Sequence, residues 1–131
     1  MATTNFSPAF VSNTPAGGKQ IQQDMQKYAA GTPVDDLVTH AWLGVHMVAD
    51  VIGPMATVTR ASVLQGFNSL SSFDSMGLAP PVDFSKPSPL KATPRIYNTY
   101  VAFLVNDGSK FTWDGKLVSI AGAPDITESQ G

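Results

Sequence analysis

The chain has 131 residues, 43% hydrophobic and 14% charged, with a formal net charge of -2 and no cysteine. Such a composition is too apolar for intrinsic disorder and carries no basic excess for nucleic acid or anionic lipid. The missing cysteine excludes disulfides, thiolate zinc sites and a thiol nucleophile, and the ten prolines and eleven glycines cluster in ways that organise the rest.

Residues 1–18 read as an irregular lead-in. Phe6, Phe10 and Val11 are isolated in a Ser, Thr, Asn and Pro background. No basic segment followed by an apolar one is present, so no secretory signal is read here. Three helices are expected over 19–70. The first spans about Lys19 to Ala30, with Ile21, Met25 and Tyr28 on one stripe and Gly31 at its end.

In the second, Thr32 is read as the cap and Pro33 as the first helical residue. Val34, Leu37, Val38, Ala41, Trp42, Val45, Val48 and Ile52 form a broad apolar stripe expected to face the core. Its length approaches a membrane span, but Asp35, Asp36, His40, His46 and Asp50 oppose insertion. Gly53-Pro54 stops it. The third helix runs from Arg60 to about Leu70, capped by Thr59, with Gly66 inside it permitting close packing.

Residues 71–94 hold five prolines, which exclude a long helix or a central strand. Phe73, Met76, Leu78, Val82, Phe84 and Leu90 make this a packed, extended connection rather than a disordered linker. Residues 95–120 read as β structure: a strand to Val105, a turn at Asn106-Asp107-Gly108, and a return strand to Trp113. A second turn at Asp114-Gly115 then leads to a short third strand, and 121–131 reads as a frayed tail.

No set of residues converges on covalent chemistry. His40 and His46, six apart, point about 240° away from each other on a helix and cannot share a metal. Asp36–His40 and His46–Asp50 read as polar pairs along the helix surface. No G-x-S-x-G elbow accompanies the serines, and Gly17-Gly18-Lys19 lacks the frame and preceding strand of a phosphate loop. The aromatic residues of the β region and Trp42 read as core. An enzyme is not expected, and no cofactor or metal is implied.

Five segments carry a family likeness in chain order. They are F-S-P-A-F-V-S-N (Phe6 to Asn13) with Y-A-A-G-T (Tyr28 to Thr32), A-W-L-G-V-H-M-V-A-D-V-I (Ala41 to Ile52) and T-R-A-S-V-L-Q-G-F (Thr59 to Phe67). F-D-S-M-G-L-A-P-P-V-D-F (Phe73 to Phe84) and N-D-G-S-K-F (Asn106 to Phe111) follow. Together they resemble the C-terminal part of type I periplasmic binding proteins, in particular the branched-chain amino acid (Leu/Ile/Val) substrate-binding proteins of ABC transporters.

The resemblance implies an α/β fold of two lobes, of which this chain supplies only the closing third: helices of one lobe, a crossing connection, and a β-hairpin of the other lobe. Taken alone such a chain is effectively α+β. The parent would bind a branched-chain amino acid or similar small polar solute outside the cytoplasm, in the periplasm or extracellularly, and present it to ABC permease subunits. The matching ligand-facing positions lie near the start of the long helix, at Leu37, Thr39 and His40; Leu37 is aliphatic where the family often carries an aromatic. The residues that grip the ligand's charged ends belong mostly to the parts not present here. The resemblance also admits a sensor or receptor domain of the same fold, or a small fragment that binds nothing. A fragment would leave one apolar helix face uncovered and self-associate. No nucleic-acid partner is implied.

Overall fold

The structure, a computed structural model, describes residues 1–90 and 93–121. The expected frayed tail lies, beyond Ala121, outside the described residues. Among the described residues the protein is a small mixed α/β chain of three helices and one three-stranded antiparallel sheet. The elements run β1 (Ala2–Thr4), α1 (Ala16–Tyr28), α2 (Asp36–Ile52), α3 (Arg60–Ser69), β2 (Tyr100–Asn106) and β3 (Phe111–Ser119).

The lead-in is not wholly irregular. Ala2, Thr3 and Thr4 pair antiparallel with Leu104, Phe103 and Ala102, so β1 forms one edge of the sheet and β2 its centre. Three residues with one β-branched pair give too short a pattern to read in isolation, and their partner lies about a hundred positions away.

α1 begins at Ala16, ahead of the expected Lys19, although Gly17 and Gly18 are poor helix formers. Packing overrides propensity there. Both glycines are buried, and a Cβ on Gly17 would lie 2.8 Å from Leu78 and from the Ser75 carbonyl. The Gly17 N–H donates to the Met76 carbonyl at 2.9 Å, which satisfies one of the helix's orphan donors from the loop beneath.

α2 starts later than expected. Asp35, not Thr32, caps it: the Asp35 carboxylate accepts from the Val38 N–H at 2.9 Å, and the first helical residue is Asp36 rather than Pro33. The helix ends at Ile52, ahead of Gly53-Pro54. α3 opens on a reciprocal cap. The Thr59 hydroxyl accepts from the Ser62 N–H, and the Ser62 hydroxyl accepts from the Thr59 N–H. Gly66 faces α2, where a Cβ would meet Val51 and Met55 at 2.7 Å.

The core gathers Ala9, Ile21, Leu43, Phe73 and Leu78, with Phe6, Met25, Val38 and Trp42 packed partly against it. Phe73 and Leu78 come from the Pro-rich connection, which therefore packs as a structural layer. Leu78 is held from both sides: its carbonyl accepts from Ser7 N–H at 2.7 Å, and the Ser75 hydroxyl bonds both Ala79 backbone groups.

The expected burial of α2 is corrected by the structure. The residues it buries are Thr39, Leu43 and Val51, while Leu37 is 77% and Val45 68% exposed. Leu37, Ala41, Gly44, Val45 and Val48 are all exposed and share an arc of roughly 100° on the helix. The side α2 buries is the one that also carries Asp36, Thr39 and His40, so the apolar stripe read from periodicity points away from the core. Among the described residues no helix is long and apolar enough to cross a membrane.

The β region contains one return strand where two were expected. β3 continues through Asp114-Gly115 to Ser119. Its register against β2 shifts between Ala102↔Leu117 and Leu104↔Trp113, so Asp114, Gly115 and Lys116 stand opposite Phe103. Gly115 has φ +84°, and the Asp114 carboxylate accepts from the Lys116 N–H at 3.0 Å. The Asp-Gly signal is thus a bulge within a strand rather than a chain reversal. One sheet face buries Ala102 and Leu104; the other exposes Phe103, Val105 and Val118.

Candidate functional site

The three positions expected to face ligand are not brought together. Leu37 projects outward. Thr39 is 1% exposed, and its hydroxyl donates to the Asp35 carbonyl at 2.9 Å, a helix-internal use. His40 lines a cavity of about 360 Å³ between the start of α2 and the sheet, with Asn5, Asn98 and Tyr100 among its walls. Its ring meets Phe6 edge-on at 4.7 Å, and Nδ1 lies 2.7 Å from the Asp36 carbonyl oxygen.

The Asp36–His40 pairing forms loosely, at 3.7 Å. Burial raises the Asp36 carboxyl above the ordinary range, with the neighbouring Asp35 charge adding to the effect and His40 opposing it. The other expected pair is replaced. His46 lies flat on Trp42, with ring centroids 3.7 Å apart and planes 30° from parallel.

A larger cavity, about 570 Å³, opens between α1, α2 and the loop that follows Phe73. Gln20 and Asp24 line it from α1, Trp42, His46 and Asp50 from α2, and Asp74 and Met76 from the loop. Helical spacing sets the α2 wall: Trp42, His46 and Asp50 follow one another at four-residue steps. Phe73, 5% exposed, belongs both to this lining and to the core. Trp42, expected in the core, is half-buried and serves as the wall between core and cavity.

One contact fixes this wall. The Trp42 indole N–H donates to one Asp24 carboxylate oxygen at 2.8 Å, and the Gln20 amide donates to the other at 3.0 Å. These donors stabilise the charged form, Trp42 first, and hold the Asp24 carboxyl below its ordinary range against a small opposing desolvation; the His46 and Lys27 charges add to the lowering. Asp74 is positioned by its own loop, accepting from the Met76 N–H at 2.8 Å, where Met76 adopts φ +52°.

The polar groups this cavity offers are three carboxylates, an imidazole, an amide and an indole N–H. Among the described residues no three His, Asp or Glu side chains lie close enough together to hold a metal ion. Asp24, Gln20 and Asp74 carried no functional reading in the sequence. The Gln20–Asp24 spacing is a visible i, i+4 pair on the wet side of α1, but nothing in the sequence ties Asp24 to Trp42, eighteen positions on. Scanned against protein-family models and searched against curated proteins and solved structures, the chain matches none.

Proposed function

We propose that this chain is the C-terminal portion of an extracytoplasmic solute-binding protein of the type I periplasmic class, working with an ABC permease. The observation that carries the reading is the uncovered apolar stripe of α2. A helix that exposes Leu37, Ala41, Gly44, Val45 and Val48 along one arc, with Gly44 open to close approach, is built to pack on further protein. The exposed face of the sheet, with Phe103, Val105 and Val118, adds a second such surface. The five sequence segments that resemble the family support the same reading, to which the structure adds β1, paired with the hairpin strand β2.

In this reading the rest of the parent covers those faces. A small polar solute, such as a branched-chain amino acid, closes the two lobes about a hinge, and the closed form is what the permease receives. The chain performs no covalent step. The test is the reading frame directly upstream of Met1 and calorimetry on its product. The joined protein is expected to bind a branched-chain amino acid, and the chain alone to show no micromolar binding. Micromolar leucine binding by the chain alone, or a joined protein indifferent to amino acids, overturns the proposal.

A further inference from the structure

We infer that Trp42 and His46 form a pH-sensitive clasp between α1 and α2, which tightens when His46 takes up a proton. Every group involved belongs to this chain, so the inference goes beyond the solute-binding reading and does not require it.

The clasp is a chain of three side chains. Asp24 on α1 accepts from the Trp42 indole N–H at 2.8 Å, and the Trp42 ring carries the His46 imidazole at a centroid distance of 3.7 Å, with planes 30° apart. The four-residue step from Trp42 to His46 sets one ring over the other on the surface of α2. Both residues are half-buried. Neutral, the imidazole gains only stacking from this position. Protonated, it becomes a cation on the face of the aromatic ring that binds cations best. The far end of the chain matches it. Trp42 and Gln20 each donate to one Asp24 oxygen, and they keep that carboxyl ionised throughout the range in which histidine titrates. A carboxylate that accepts the indole N–H polarises the ring, so the anion at its edge and the cation on its face reinforce each other.

The surrounding charges favour the imidazolium. Asp24 faces the cavity beside His46 from α1, Asp50 stands one turn further along α2, and Asp74 enters from the loop after Phe73. Lys27, whose charge also reaches Asp24, is turned onto the Tyr28 ring, 4.7 Å from its centroid. On its other side His46 adjoins an apolar groove lined by Met25, Val38, Ala41 and Val45, which brings no charge. Among the described residues the ion pairs are His40–Asp36 and Lys86–Asp83, so the indole face is the closest partner of a charged His46. His40 supplies the contrast. It meets Phe6 edge-on, and its Nδ1 lies 2.7 Å from the Asp36 carbonyl oxygen, so no ring face lies beneath it. Because the folded chain favours charged His46, the stability gained is present below the ordinary histidine range, about pH 6.5, and is lost above it.

The experiment uses the full chain carrying Trp113→Phe, so that Trp42 is the sole indole, and follows its emission between about pH 8 and about pH 5.5. A stacked imidazolium quenches indole emission more strongly than a neutral imidazole. The emission is expected to fall in one step within the histidine range, to keep that step in His40→Gln and to lose it in His46→Gln. Thermal midpoints then show whether the proton tightens the fold. The margin of the parent over His46→Gln is expected to be roughly 2–5 °C larger at the acid end than at the alkaline end. Taking that margin at each pH cancels the titration of the other groups. The inference is overturned by three results: flat emission, a step that survives His46→Gln, or a margin that does not grow at acid pH. If Trp113→Phe unfolds the chain, the midpoint comparison in the wild-type background still decides. A failure here leaves the leucine calorimetry of the joined protein untouched, so the two proposals fall separately.

Discussion

Replacing Leu43 and Leu37 by alanine separates the two apolar faces of α2. Leu43 is 5% exposed and belongs to the core cluster with Ile21, Phe73 and Leu78. Truncating a leucine in such a setting costs about 2–5 kcal/mol, through lost burial and the cavity left behind. Leu37 is 77% exposed, so it retains less than a quarter of its possible burial. Full burial of a leucine is worth about 1.5–3 kcal/mol, which leaves roughly 0.5 kcal/mol at Leu37. Alanine's higher helix propensity offsets part of even that. Urea unfolding measures both. With a slope of about 2 kcal/mol per molar, Leu43→Ala lowers the midpoint by roughly 1–2.5 M and Leu37→Ala by about 0.2 M or less. Repeating the titration after protein dilution removes any contribution from association through the Leu37 face. Equal losses, or a larger loss at Leu37, would mean that the buried and exposed faces of α2 have been assigned the wrong way round.

Two helical glycines are expected to respond oppositely to alanine. Gly44 has open space where a Cβ would go, so Gly44→Ala stabilises the dilute chain by about 1 kcal/mol. At Gly18 the new Cβ would fall 1.8 Å from the Thr14 hydroxyl oxygen, and Gly18→Ala lowers the thermal midpoint despite the better propensity. A stabilising Gly18→Ala would remove the packing reason for α1 beginning at Ala16. The Trp42–Asp24 bond makes a pH prediction. The Asp24 pKa is depressed in the folded state, so the stability it contributes is present above the unfolded value, about 3.9, and is lost as pH falls through the lower folded value. Asp24→Ala therefore weakens the fold at neutral pH, and the difference from wild type shrinks below about pH 4. A difference independent of pH would show that the carboxylate form is not what the indole holds.

Much of the helical framework was legible because its signals are local. Thr59 caps α3 and Gly53-Pro54 follows the end of α2 as those residue types dictate. The points that differed turn on contacts distant in sequence. α1 gains its first turn because Leu78 and Ser75 press on Gly17, sixty positions away. β1 exists because β2 is there to pair with it. Asp114-Gly115 carries the same dipeptide as a hairpin turn, and only the register against Ala102 and Leu104 distinguishes the bulge.

The candidate site was legible only in part, for the same reason. Trp42, His46 and Asp50 were visible as helical neighbours, but the loop carrying Asp74 and the α1 pair Gln20–Asp24 reach them through tertiary packing. Which face of α2 is buried depends on where Phe73 and Leu78 come to rest against Leu43.

Sedimentation velocity on the wild-type chain and on Val45→Lys tests the central claim most directly, that the α2 stripe is a surface made to be covered. Wild type is expected to associate as concentration rises, while Val45→Lys stays monomeric with an unchanged circular dichroism spectrum. A wild-type chain that sediments as a single monomer across the same concentrations would contradict it.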